Sequence, residues 1–157
     1  MNKPEKTKLI VYTDGAARGN PGPGGYGAVL IYGDKQLEIS EGFRNTTNNR
    51  MELMAVIEAL KKLKRINMDI AVYTDSKYVC DAVNKGWLKS WIKTGFKDKK
   101  NVDLWKQFLE LAQLHHISFH WVKGHDGNVY NERCDVLATT AADNYPTKID
   151  IGYESGK

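Results

Sequence analysis

Two aspartates follow near-identical apolar segments of the chain, in Val11-Tyr-Thr-Asp14 and Val72-Tyr-Thr-Asp75. Each segment is typical of a buried strand, and a small residue follows each aspartate. If the strands are parallel neighbours, both carboxylates leave the sheet at its carboxyl edge, where open α/β sheets place their sites. The alternative is structural, because an aspartate commonly ends a strand or caps the next helix. The repeat favours a shared site.

Two further acids, Glu52 and Asp135, lie near the starts of predicted helices. Glu52 lies roughly 80° from the apolar stripe of its helix and can face the sheet edge; alternatively, Asn49 caps the helix and Glu52 completes a capping box. Asp135 is alternatively a solvated acid beside Cys134. Carboxylates that gather without a cation repel one another. Convergence of all four acids therefore predicts a hard divalent metal, Mg²⁺ or Mn²⁺, with oxygen ligands.

His125 lies in a predicted loop between Gly124 and Asp126. An imidazole titrates near neutral pH and can relay protons beside a metal site, although an idle surface histidine shows the same pattern. The glycine-rich segment Gly22-Pro-Gly-Gly-Tyr-Gly27 formally matches a dinucleotide-binding motif, but we reject this interpretation. A strand follows it where that motif needs a helix, and its prolines remove backbone donors.

Most of the positive charge lies in one segment. The chain has 157 residues and a formal charge of +4, and residues 84–106 contain seven lysines and two aspartates, a net +5, which leaves −1 for the rest. The same segment contains Trp87, Trp91 and Trp105, three of the four tryptophans. Lysines at four-residue spacing with Trp87 and Trp91, also four apart, are typical of an amphipathic helix that has its lysines in solvent and these two tryptophans in the core. Lysines that neutralise phosphates beside aromatic rings indicate instead a nucleic-acid grip, which we favour.

The elements that position these residues follow from hydrophobic periodicity. Strands are predicted at residues 8–13, 26–32, 36–43, 69–74 and 117–122, and helices at 49–65, 76–85, 102–114 and 131–142, with a helix and loop in the basic segment. The order, roughly βββαβααβα, predicts an α/β fold with a five-stranded mixed sheet and helices on both faces. No break in composition precedes the polar tail at residues 144–157. Residues 1–157 are therefore expected to form one domain with a core at about 8–142.

Composition narrows the class of protein. At 41% hydrophobic and 27% charged residues the chain is expected to be globular, and disorder throughout is excluded. No stretch approaches the ~20 apolar residues of a membrane-spanning helix, so no membrane partner is expected. The polar N-terminus lacks the apolar region of a secretory signal, and two cysteines are too few for a disulfide scaffold. A cytoplasmic location is the expectation.

Six motifs, in order along residues 8–142, together resemble type 1 ribonuclease H of the bacterial kind. They are Tyr12-Thr-Asp-Gly15, Gly19-Asn-Pro-Gly-Pro-Gly-Gly-Tyr-Gly27, Thr46-Thr-Asn-Asn-Arg-Met-Glu-Leu53, Thr74-Asp-Ser76, Trp121-Val-Lys-Gly-His125 and Asn131-Glu-Arg-Cys-Asp135. The resemblance implies a ribonuclease H-like domain and an endonuclease that cuts the RNA strand of RNA–DNA hybrids, leaving 5′-phosphate and 3′-hydroxyl ends. A related two-metal enzyme acting on DNA and a catalytically silent hybrid-binding module are the alternatives.

The resemblance also implies roles for individual residues. Two Mg²⁺ ions, with Mn²⁺ as a substitute, would be held by Asp14, Glu52, Asp75 and Asp135, and His125 would assist proton transfer or product release. The protein would act as a monomer, with the RNA backbone near Gly15, Asn48 and Glu52, a DNA phosphate at Thr47, and the DNA strand gripped by residues 85–100. The implied substrate contacts are Gly15, Asn20, Thr47, Asn48, Asn49, Lys77, Trp87, Lys89, Trp91, Lys93, Lys97 and Lys99. Lys77 stands where the family is expected to have glutamine, and residues 96–101 form a shorter segment than expected.

Overall fold

A five-stranded mixed sheet forms the centre of the protein in a computed structural model that describes residues 7–124 and 127–155. Strands β1 (Leu9–Ala17), β2 (Gly22–Tyr32) and β3 (Lys35–Thr46) pair antiparallel in sequence, and the predicted turn at Gly33 joins β2 to β3 with a φ of 61°. β4 (Asp69–Thr74) and β5 (His116–Trp121) continue the sheet in parallel to β1, in the order β3-β2-β1-β4-β5. The predicted mixed sheet is confirmed.

Six helices connect or follow the strands in the described ranges: α1 (Asn48–Lys61), α2 (Lys77–Asn84), α3 (Trp87–Lys93), α4 (Val102–Ala112), α5 (Val129–Asp143) and α6 (Ile151–Ser155). The predicted helix at 49–65 ends earlier, at Lys61, before a polar segment of exposed residues. Gly86, with a φ of 77°, separates α2 from α3, because a left-handed residue cannot continue a helix. The basic segment therefore begins at the end of α2 and comprises α3, the turn that follows it and the first residues of α4.

Helices cover both faces of the sheet. On one face, α1 packs on β1 and β2 and is backed by α4, and this layer holds the largest buried side chains, including Trp105, Met51 and Leu53. On the other face, α5 crosses β1, β2 and β3. Burial of these apolar faces is the main stabilising contribution to the fold. No helix within the two described ranges is both long and apolar enough to cross a membrane.

The polar tail packs onto the domain through one buried carboxylate. Asp150 is 3% exposed, and its Oδ2 accepts hydrogen bonds from Thr46 Oγ1 at 2.7 Å and Arg50 Nε at 2.8 Å. The Arg50 guanidinium, also buried, makes a second ion pair with Asp103 of α4 at 2.7 Å. A buried guanidinium needs paired carboxylates to offset its desolvation. The tail up to residue 155 thus holds the start of α1, a role that its polar composition did not predict.

Candidate active site

Asp14 and Asp75 meet beside the carboxyl end of β4, as the repeat predicted, although β1 continues past Asp14 to Ala17 instead of ending at residue 13. β1 and β4 are parallel neighbours in a register that pairs Val11 with Val72 and Thr13 with Thr74. Asp14 and Asp75 are the next residues on each strand, so both carboxylates emerge at the same level. The repeated tetrapeptide therefore reflects two equivalent positions in adjacent strands.

Glu52 reaches this edge because α1 contacts β1 closely at a glycine. A Cβ built on Gly15 would lie 2.5 Å from the carbonyl carbon of Met51 and 2.8 Å from its Cβ, so any side chain there would push the helix away. The N-cap of α1 is Thr47 rather than Asn49, because Thr47 Oγ1 accepts from the Arg50 N–H at 3.3 Å. The capping-box alternative for Glu52 is therefore wrong. Its side chain instead hydrogen-bonds to Ser76.

Asp14, Glu52 and Asp75 form the acidic cluster of the site. One carboxylate oxygen of each lies within 4.8 Å of the others, and Asp14 is only 5% exposed. Burial first and the charge of Asp75 second raise the pKa of Asp14 to about 9, although the Gly15 N–H donates to its Oδ1 at 2.8 Å and opposes the shift. Burial also raises the pKa of Glu52 to about 7, against the hydrogen bond with Ser76. Three converging carboxylates, of which Asp14 and Glu52 have raised pKa values, form an oxygen-only site that favours a hard divalent cation.

Asp135 is brought towards Asp14 by a second close contact at a glycine. Gly27 pairs with Asp14 across β1 and β2, and a Cβ built on Gly27 would lie 2.6 Å from the Cys134 carbonyl oxygen and 2.6 Å from the Leu137 Cβ. α5 therefore crosses the sheet directly beside Asp14, and the charge of Asp135 contributes to the raised pKa of Asp14. Asp135 is not one of the three acids within 4.8 Å of one another.

Cys134 does not offer a nucleophile at this site. Its thiol is buried and donates to the Tyr12 carbonyl oxygen at 3.2 Å. Burial, followed by the charge of Asp14, raises its pKa to about 12, so the thiol remains protonated at neutral pH. The other cysteine, Cys80, is likewise buried and free.

Polar residues implied as substrate contacts surround the start of α1. Asn48 Oδ1 accepts from the Ala17 N–H at 2.6 Å, and Asn20 Oδ1 accepts from the Asn48 N–H at 3.2 Å. Thr47 caps the helix, and Asn49 is exposed. These bonds fix the segment after β1 against α1, beside Gly15 and the acidic cluster.

Trp121 contacts the backbone of Asp75, a role that the sequence analysis did not assign to it. It ends β5 and is 47% exposed, yet its indole Nε1–H donates to the Asp75 carbonyl oxygen at 3.1 Å. Lys77, the first residue of α2, places its ammonium 4.9 Å from the centre of the Trp121 ring. The available signal was a large aromatic residue at the carboxyl edge of a strand in a mixed sheet.

The tryptophans of the basic segment divide between core and surface. Trp105 is fully buried, and Trp91 is half-buried with its ring 5.7 Å from that of Trp105 in an edge-on contact. Trp87 is 42% exposed. The core interpretation, which concerned Trp87 and Trp91, is therefore right in part for Trp91, whose ring packs on that of Trp105, and wrong for the exposed Trp87. The lysines expected to contact nucleic acid are exposed: Lys89, Lys93, Lys97 and Lys99.

His125 lies outside the described residues, as does Asp126. Gly124, the last described residue before them, packs on the acidic cluster: a Cβ built there would lie 2.8 Å from Asp75 Oδ2. The role implied for His125 stays a prediction.

Known proteins are similar to this chain in sequence and in fold. The RNase H family model matches residues 6–143. Ribonuclease H of Trichodesmium erythraeum is 48% identical over 155 residues, which cover 96% of this chain and 98% of the relative. The solved structure of LC9-RNase H1, a type 1 RNase H with the type 2 active-site motif, has a TM-score of 0.79 at 29% identity and covers 99% of this chain and 82% of that one. LC11-RNase H1, solved in complex with an RNA/DNA hybrid, has a TM-score of 0.63 at 30% identity and covers 87% of this chain and 98% of that one. The chain therefore belongs to the RNase H family, as a type 1 ribonuclease H of the bacterial kind.

Proposed function

We propose that this enzyme is an endonuclease that hydrolyses the RNA strand of RNA–DNA hybrids with two Mg²⁺ ions, leaving 5′-phosphate and 3′-hydroxyl ends. The supporting observation is the acidic cluster, in which Asp14, Glu52 and Asp75 come from three separate elements and place oxygens within 4.8 Å of one another. Hybrid as substrate is supported by the similarity to LC11-RNase H1, which was solved with an RNA/DNA hybrid.

The residues present fit a divalent metal. The cluster offers carboxylate oxygens only, which suit Mg²⁺, with Mn²⁺ as a substitute. The raised pKa values of Asp14 and Glu52 mean that, without a cation, the folded protein accommodates their charges poorly. Asp14, Glu52, Asp75 and Asp135 would hold the ions. When bound, two such ions would stabilise the negative charge on the attacking and leaving oxygens during an in-line displacement at phosphorus.

Among the described residues, side chains and backbone of the site orient these ligands, and neither cysteine is a suitable covalent nucleophile. The Gly15 N–H holds the Asp14 carboxylate, and Ser76 holds Glu52, so both acids keep their direction before substrate arrives. The cysteine thiols are buried, and burial raises the pKa of Cys80 to about 11. Water is therefore the proposed nucleophile. His125 is proposed to assist proton transfer or product release, and His125→Ala is expected to slow turnover by about 10²–10⁴-fold at most while leaving hybrid affinity near wild type.

Hybrid recognition is proposed to use both sides of the acidic cluster. The RNA backbone would lie along Gly15, Asn48 and Glu52, and the strands would also meet Asn20 and Asn49. Thr47 would meet a DNA phosphate. The exposed lysines of the basic segment would grip the DNA strand together with the half-buried Trp91 and exposed Trp87, as neutralised phosphates release counterions. We place the enzyme, as a monomer, in the cytoplasm, since its two cysteines are free thiols.

Digestion of end-labelled substrates tests this proposal. Hybrid, double-stranded DNA and double-stranded RNA are incubated with the protein in Mg²⁺, in Mn²⁺ and in EDTA, with Asp14→Asn as the matched inactive variant. Cleavage of only the RNA in the hybrid, dependent on metal and on Asp14, is the expected result. Cleavage of DNA would support the DNA-acting alternative, and binding of hybrid without cleavage would support a silent binding module; either result would overturn the proposal.

A further inference from the structure

Lys77 lies over the ring of Trp121, two residues after Asp75 of the acidic cluster. Its ammonium lies 4.9 Å from the centre of the Trp121 ring, and the indole is itself anchored by its 3.1 Å hydrogen bond to the Asp75 carbonyl oxygen. Trp is the aromatic residue that best attracts a cation over its face. The chain of contacts runs from a residue of the acidic cluster, through an indole, to a lysine ammonium.

This ammonium is available for an anion. Lys77 is exposed, and within the described ranges it makes no ion pair at or below 4.0 Å. Ring contact occupies one side of the ammonium, and its three N–H donors leave at least one for an oxygen on the solvent side.

A second pair of the same kind lies at the other end of α2. Lys85, the C-cap of α2, places its ammonium 5.9 Å from the centre of the Trp87 ring. The eight residues of α2 span about 12 Å at 1.5 Å per residue. That span is about three to four nucleotides at 3.4 Å per step along a duplex. One pair borders the acidic cluster and the other lies in the basic segment.

We propose that Lys77, ordered by Trp121, binds a backbone phosphate of the nucleic acid held at the acidic cluster, with Trp121 acting as a positioning residue. The inference rests on the proposed function, because it assigns the ligand to the same bound hybrid. A lysine already fixed against an indole loses less side-chain freedom on binding than a free one, so the contact stabilises the complex more. Glutamine at position 77 would supply neither this charge nor this ordering.

A double-mutant cycle tests the pair. Lys77→Gln, Trp121→Leu, their combination and Trp121→Phe are compared with Lys35→Gln, which removes the same charge from an exposed position at the far end of the sheet. Affinity for a short fluorescent hybrid is measured in EDTA between about 50 and 200 mM KCl. Thermal unfolding of each variant is recorded alongside, and Lys77→Gln changes an exposed side chain only.

Lys77→Gln is expected to reduce the magnitude of the negative slope of log affinity against log salt by about 0.9, the value for one phosphate contact, whereas Lys35→Gln leaves the slope unchanged. Trp121→Leu is expected to weaken binding about two- to fivefold, as a cation–π contact at an exposed site predicts, and Trp121→Phe less. In the Trp121→Leu background, Lys77→Gln is expected to cost less than in wild type, which is the sign of coupling.

Equal salt slopes for Lys77→Gln and Lys35→Gln, or additive effects of Lys77→Gln and Trp121→Leu, would overturn the inference. Digestion of the same hybrid by the wild-type protein in Mg²⁺ separates this failure from that of the proposed function. If the wild type cleaves the hybrid while the two lysine variants bind alike, only the pair is wrong. If the wild type does not cleave it, the proposed function and this inference are both overturned.

Discussion

Replacing Asp14 by asparagine is expected to stabilise the metal-free protein by an amount that grows as the pH rises from about 4 towards 9. Burial, and next the charge of Asp75, raise the pKa of Asp14 from 3.8 to about 9. Between these two values the folded protein holds a proton that the unfolded chain releases. The contribution of Asp14 to stability is therefore complete below about pH 4 and is lost progressively as the pH rises towards 9. Asparagine has a similar shape and no proton to release, so the variant avoids this loss.

The size of the effect follows from the pKa shift. At pH 7 the solution is about three units above the unfolded pKa, and each unit corresponds to about 1.4 kcal/mol, so the largest gain is about 4 kcal/mol. Part of this gain is lost, because the unfolded chain retains some structure and because the nearby carboxyls take up part of the change in bound protons. We therefore expect the variant to gain about 2–4 kcal/mol in the free energy of unfolding at pH 7 and almost none at pH 4. For a protein of this size that gain corresponds to a rise in Tm of about 5–12 °C.

Urea and thermal unfolding in EDTA, at intervals from pH 4 to pH 8, measure this difference. Asp34→Asn is the matched control, because Asp34 is exposed in the turn between β2 and β3 and makes the same change of charge far from the cluster. Mg²⁺ is expected to raise the Tm of the wild type and to raise that of Asp14→Asn much less, since binding to the folded state alone stabilises it. Activity on hybrid should be nearly abolished in the variant.

Two results would refute this reasoning. A variant that is less stable than wild type at pH 7 in EDTA, or that differs from it equally at every pH, would show that burial and repulsion do not penalise the Asp14 carboxylate. Substantial Mg²⁺-dependent cleavage by well-folded Asp14→Asn would contradict the assignment of Asp14 as a metal ligand.

Three further predictions concern the network under α1 and the basic segment. Asp150→Asn leaves the buried Arg50 guanidinium with one fewer carboxylate and is expected to lower the free energy of unfolding in urea by about 3–5 kcal/mol. The control Asp143→Asn, at an exposed ion pair, should leave the urea midpoint unchanged. Equal midpoints for the two variants would contradict a stabilising role of the buried ion pairs. Trp91→Ala is expected to lower the free energy of unfolding by about 2–4 kcal/mol, because the Trp91 ring packs on buried Trp105. Trp87→Ala, at an exposed side chain, should mainly weaken hybrid binding. Thermal unfolding and binding assays on both variants measure this, and the reverse pattern would contradict it. The third prediction is the combined substitution by alanine of four lysines: Lys89, Lys93, Lys97 and Lys99. It is expected to reduce the magnitude of the slope of log affinity against log salt for hybrid binding by up to about 0.9 per lost phosphate contact. An unchanged slope would contradict the proposed contact of these lysines with the DNA strand.

Local sequence patterns were enough to predict the strands and the pairing of two acids. The repeated Val-Tyr-Thr-Asp predicted two strands and, if these were parallel neighbours, a shared site; the register of β1 and β4 shows that they are. β4 has the predicted bounds, Asp69–Thr74, and Ser76 caps α2 as expected of its residue type. Helix ends were less accurate: Thr47 rather than Asn49 caps α1, since either side chain is a suitable acceptor and only the backbone path selects one.

Distances between elements were decided by tertiary packing. Gly15 and Gly27 let α1 and α5 approach β1, and these approaches place Glu52 and Asp135 beside Asp14. Neither contact has a signal within its own segment, because the partners are far apart in the chain. The same is true of Trp121, whose indole reaches the Asp75 carbonyl oxygen only because β4 and β5 are neighbours.

The residue types of the acidic cluster and the charge of the basic segment are properties of the sequence itself, and they sufficed to indicate a metal-dependent enzyme acting on nucleic acid. Burial was decided only by the tertiary structure: it separates Trp105 in the core from Trp87 at the surface and raises the pKa of Asp14 to about 9. The physical reason is that side-chain type determines which charges and ligand atoms are available, whereas desolvation and the repulsion between charges depend on what surrounds each group after folding.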